Sequence, residues 1–102
     1  MNGIEEVIKL FSVHALDAAD GAAKRQSVHG AHVAHLKSAK DQGVTIVVGG
    51  PLVSDDGKGS VGSLMVIEAP DRATVEKFNR ADPFAKNGVW ARVEIQRFDR
   101  KE

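Results

Sequence analysis

A chain of 102 residues with 42% hydrophobic and 27% charged residues has the size and make-up of one folded soluble domain, 1–102, with apolar material for one modest core. Its 14 basic and 14 acidic side chains cancel, which argues against nucleic-acid or anionic-membrane binding, because both need a clustered positive field. No cysteine is present, which excludes disulfides, thiolate nucleophiles and Cys-based zinc sites, and charges throughout the first twenty positions leave no signal peptide or membrane span, so a cytoplasmic setting is expected.

In chain order, "IEEVIKLFSV" (4–13) mixes alternation with an apolar run and reads as a first strand. "DAADG" supplies turn formers and candidate caps ahead of a helix over about 22–42, ended by Gly43 as a left-handed cap. "VTIVVGGPL" is β-branched and short, a buried strand stopped by Gly49, Gly50 and Pro51. A polar, glycine-rich loop, "VSDDGKGSVG", then leads into a third strand, "SLMVIEA", expected as the hairpin partner of the second. Pro70 and Asp71 open a second helix to about Arg80, which Asp82-Pro83 breaks because the residue before proline disfavours helical backbone. "VWARVEIQRF" alternates and closes the chain as a fourth strand, with Trp90 a packing residue.

The order βαββαβ predicts an α+β, ferredoxin-like split-βαβ fold: a four-stranded antiparallel sheet with both helices on one face. The other face is left uncovered, with Val47, Met65 and Val93 expected to make part of it apolar, so a homodimer packed sheet on sheet is the economical solution.

Three of the four histidines fall in "RQSVHGAHVAHL", residues 25–36. At about 100° per residue His32 lies close to the middle of the helix's apolar stripe, Arg25 two turns earlier points almost the same way, and His29 sits at the margin. Inward-facing arginine and imidazole are costly unless hydrogen-bonded or facing a cavity, so His32 is either a satisfied structural histidine or a functional one. A metal site is disfavoured, because His29, His32 and His35 spread over about 120° of the helix and no HExxH pattern supports one. Asp82 has two readings as well: N-cap of the short "PFAKNG" segment, or a carboxylate that orients an imidazole for proton transfer. No phosphate-binding glycine motif follows a strand, and no GxSxG elbow surrounds Ser63.

"RQSVHGAHVAHL", "GGPL" at 49–52, "GS" at 62–63 and "ADPF" at 81–84, taken together and in order, resemble the YCII (YciI-like) superfamily over nearly the whole chain. The resemblance implies a ferredoxin-like dimer, with His32 and Asp82 at the positions of the family's catalytic pair and Arg25 and Ser63 at polar pocket positions. It further implies removal of HCl from a chlorinated hydroxyhydroquinone to give a hydroxybenzoquinone, with no cofactor. On that expectation His32 is the general base, Asp82 its orienting carboxylate, Arg25 the cation on a phenolate and Ser63 a hydroxyl on a substrate oxygen. The chemistry needs only acid-base groups and hydrogen-bond donors. The alternatives are a small-molecule-binding or regulatory dimer without catalysis, and a monooxygenase of similar architecture, for which a chain with no tyrosine gives no positive support.

Overall fold

The computed structural model describes residues 8–101. Its elements run β1 (Lys9–Asp17), α1 (Gly21–Lys37), a 3-10 turn (Ala39–Gln42), β2 (Thr45–Val53), β3 (Ser60–Ala69), α2 (Arg72–Arg80), α3 (Pro83–Lys86) and β4 (Trp90–Phe98). The strands form one sheet in the order β2-β3-β1-β4, all neighbours antiparallel, which is the α+β ferredoxin-like arrangement.

Several boundaries differ from the sequence expectation. The first strand is shifted: it occupies Lys9–Asp17, and the earlier part of its expected span, 4–7, lies outside the described residues. What selects the register is the alternation Phe11, Val13, Ala15, each buried opposite Ile67, Met65 and Ser63 of β3. The first helix stops at Lys37, where the Ser38 hydroxyl donates to the His35 carbonyl and the chain tightens into the 3-10 turn; Gly43 then takes the left-handed conformation expected of it, φ 81°. Gly49, Gly50 and Pro51 do not stop β2. They stay paired with Met65, Leu64 and Ser63, because β2 is an edge strand and an edge tolerates proline. "PFAK" forms the short helix α3, with Pro83 in its first turn.

The helices cover one face of the sheet over a core that includes Phe11, Val13, Ile67, Val75, Phe78 and Val89. Met65 and Val93 belong to this covered face, correcting their expected placement: Met65 pairs with Val13 and is buried, and Val93 pairs with Ala15 and packs against the core. Val47 is on the open side, beside a β-bulge, and Leu16, Val48, Leu64 and Phe98 are exposed with it. Gly21 is fixed by close approach, since a Cβ there would lie 2.9 Å from Asp17 Cβ and 3.0 Å from the Val89 carbonyl oxygen. The start of α1 is thereby set directly against the end of β1.

Candidate functional site

A cleft of about 850 Å³ opens between α1 and the β2–β3 hairpin, and Arg25, His32 and Ser63 all line it. His32 comes from the middle of α1 and Asp82 from the N-cap of α3, fifty residues apart in sequence, yet Nδ1 lies 2.8 Å from Oδ1. The same Oδ1 accepts the Phe84 backbone N–H at 2.8 Å, so the two readings of Asp82 are one arrangement: the cap is also the histidine's partner. A carboxylate can only accept. Nδ1 therefore carries the proton facing Asp82, and Nε2, which has no partner among the described residues, is the ring's free basic atom. Asp82 is 1% exposed, and its second oxygen has no hydrogen-bond partner among the described residues.

The imidazole plane is set by packing. His32 stacks on Phe84 with ring centroids 3.7 Å apart and planes 3° apart, and meets Trp90 edge-on. Thus the two residues after Asp82 do separate jobs: Pro83 starts the helical turn, and Phe84 both donates to the carboxylate and supports the ring bonded to it.

Arg25 has a partner that the sequence did not reveal. Asp17, at the end of β1, takes Nε at 2.7 Å and Nη2 at 3.1 Å in a two-point ion pair, so the arginine's charge is balanced within the fold. Nη2 also donates to the Gly62 carbonyl at 2.6 Å and to Ser63 Oγ at 2.8 Å, while Nη1 has no hydrogen bond to a described residue. Ser63 Oγ accepts a second donor, Trp90 Nε1, at 3.2 Å. With two N–H groups aimed at its oxygen, the serine's own proton is directed elsewhere and can be donated. Trp90 is thus the buried packing residue expected of it and also part of this polar network. The signal for Asp17 was available in principle: an inward arginine requires a carboxylate, and Asp17 ends the strand just before the helix.

The remaining histidines separate. His35 Nε2 lies 2.9 Å from the Phe78 carbonyl oxygen and its ring stacks on Phe78, tying α1 to α2. His29 is exposed and lines the cleft's mouth, as does Lys58 from the β2–β3 loop. Among the described residues no three His, Asp or Glu side chains converge as a metal-ligand set. No helix among the described residues is long and apolar enough to cross a membrane.

The YCII-related domain model matches residues 10–99, and the chain belongs to that family. It is 31% identical over 94 residues to Protein YciI of Escherichia coli O6:H1, covering 87% of this chain and 95% of that one. Among solved structures it is similar to the 5-chloro-2-hydroxyhydroquinone dehydrochlorinase of Burkholderia phenoliruptrix AC1100 in complex with 2,5-dihydroxybenzoquinone. The TM-score is 0.79 at 30% identity, with 90% of this chain and 95% of that chain covered. The chemotaxis kinase CheA P2 domain of Thermotoga maritima, at a TM-score of 0.55 and 16% identity, shares the fold alone.

Proposed function

We propose that this YCII-family chain is a cofactor-free lyase that eliminates HCl from a chlorinated hydroxyhydroquinone, giving a hydroxybenzoquinone and chloride. The observation that carries the reading is the arrangement of four polar residues: His32, Arg25 and Ser63 line one cleft, the arginine bonded to the serine, and the imidazole is held from behind by the buried Asp82 carboxylate. The likeness to a dehydrochlorinase at 30% identity supports the substrate class.

The reaction balances without an oxidant. One hydroxyl proton of the triol moves to the ring carbon bearing chlorine, giving a keto tautomer; loss of a second hydroxyl proton then drives electrons through the ring and expels chloride. The C–Cl bond is replaced by C–H while the ring reaches the quinone level, and one proton leaves with chloride. His32 Nε2 is the base for the hydroxyl proton, with Asp82 steadying the imidazolium that forms. The Ser63 hydroxyl and the open Nη1 of Arg25 donate to the oxygen on which negative charge develops. Because Asp17 offsets the arginine's charge, Arg25 acts in this scheme mainly as an oriented donor.

The chain is read as one domain working in the cytoplasm. Its exposed open-face residues Leu16, Val48, Leu64 and Phe98 favour a homodimer, which light scattering on the purified protein tests. The reaction itself is tested by anaerobic chloride release from the chlorinated triol, using chelator-treated protein, His32→Ala and a no-enzyme control. Multiple turnovers are expected, falling about 10²- to 10⁴-fold in a folded His32→Ala variant. Undiminished turnover in that variant removes His32 as the base. No release above background leaves a cleft that binds a ligand without chemistry.

A further inference from the structure

The cleft wall is charged in only one sense. Among the described residues its ionisable lining consists of Arg25, His29, His32 and Lys58, with no Asp or Glu. The carboxylates that accompany two of these, Asp17 and Asp82, are buried partners bonded to Arg25 and His32. Pairing cancels the arginine's charge and, whenever His32 is protonated, the imidazolium's. Lys58 has no ion-pair partner among the described residues, and so is the unpaired fixed cation of the wall, with His29 beside the same opening.

The backbone that carries Lys58 is held in place by its loop. Asp56 Oδ1 accepts the Ser54 hydroxyl at 2.7 Å and the Lys58 backbone N–H at 3.0 Å, Ser54 N–H donates to the Gly59 carbonyl at 2.9 Å, and Gly57 takes the left-handed turn at φ 74°. The Lys58 N–H first, and then the Ser54 hydroxyl, hold the Asp56 carboxyl below its ordinary pKa. Asp56 is thereby held as an acceptor within its own loop, and among the described residues no ion pair joins it to the lysine ammonium.

We infer that the cleft selects planar ligands bearing an oxygen anion, phenolate or hydroxyquinone enolate, and that Lys58 at its mouth supplies the selection. The inference rests on the proposed function for the ring chemistry of the ligand, and it adds the ligand's charge state and the residue that reads it. In the proposed reaction a neutral triol becomes a hydroxyquinone, a vinylogous acid that ionises at neutral pH. Lys58 then favours the charge that appears as the reaction proceeds.

The test compares two probes of one ring: 2,5-dihydroxybenzoquinone, an anion at neutral pH, and its neutral 2,5-dimethoxy counterpart. Binding is read from quenching of Trp90, the chain's single tryptophan, at low and high salt. The expected result is tighter binding of the anion, weakened roughly three- to tenfold in Lys58→Met, restored in Lys58→Arg, and salt-dependent only where the charge is present. The neutral quinone should not respond to either substitution. Unchanged anion binding in Lys58→Met, equal losses for both probes, failure of Lys58→Arg to restore it, or no binding of the anion to the wild-type protein overturns the inference. Chloride release is measured separately, so a protein that selects the anion but releases no chloride retains the inference and loses the lyase reading.

Discussion

Asp82 offers the sharpest test, because one of its oxygens serves two donors. In Asp82→Ala, α3 loses the cap on the Phe84 N–H, and the His32 Nδ1–H is left without an acceptor in a pocket where that side chain is only 12% exposed. A lost N-cap costs about 1 kcal/mol and an unsatisfied, largely buried donor about 1–3 kcal/mol, so the variant should lose about 2–4 kcal/mol. For a domain of this length that lowers Tm by on the order of 10–25 °C. Asp82→Asn separates charge from geometry. The Phe84 N–H requires an oxygen at the Oδ1 position, which fixes the amide with its carbonyl toward both donors and keeps the proton on Nδ1 of His32. Stability should fall less, by about the 1 kcal/mol that separates a charge-assisted from a neutral hydrogen bond. Urea melts give the first quantity. Nitrogen-15 NMR of the imidazole gives the tautomer. An Asp82→Ala protein as stable as wild type, or an Asp82→Asn protein with its proton moved to Nε2, refutes the shared-acceptor argument.

Other substitutions probe the frame around the site. Gly21→Ala drives a methyl against Asp17 and the Val89 carbonyl, and should cost about 1–3 kcal/mol in a thermal melt while disturbing the Arg25 ion pair. Gly62→Ala should be worse still, because its Cβ would collide with the Ala15 carbonyl oxygen in the neighbouring strand; little or no folded protein by circular dichroism is the expected outcome. Asp71 caps α2 by accepting from the Thr74 hydroxyl and backbone N–H, which hold its carboxyl below the ordinary value. A depressed folded-state pKa means this stabilisation is full above about pH 4 and disappears as pH falls through the lower folded value, so Asp71→Ala should lower Tm at neutral pH, and the gap to wild type should close in strong acid.

The sheet was legible where alternation ran the length of a strand, as in β4, and only in part at β1, whose expected span 4–13 stopped short of Ala15. It was misread at Gly49-Gly50-Pro51, where local propensity says stop, because whether a strand is an edge is a property of the sheet and not of its own residues. Met65 and Val93 were misplaced for the same reason: the face of a strand residue follows from pairing register, which no single strand's sequence contains. In the site, helix phase alone aligned Arg25 with His32, and both line the cleft. Phase could not say that Phe84 would support the imidazole or that His35 would turn to the Phe78 carbonyl, since those contacts join elements far apart in the chain, and it says nothing of Asp17, which lies near in sequence but on the preceding strand. The consequence reaches function. An unpaired inward arginine makes the pocket's depth its positive end, whereas an arginine matched by Asp17, with a basic histidine held by the Asp82 carboxylate, leaves Lys58 as the unpaired cation at the opening. The depth of the cleft then works by oriented donors and one basic nitrogen, and its mouth by charge, a division of labour that only the tertiary ion pairs create.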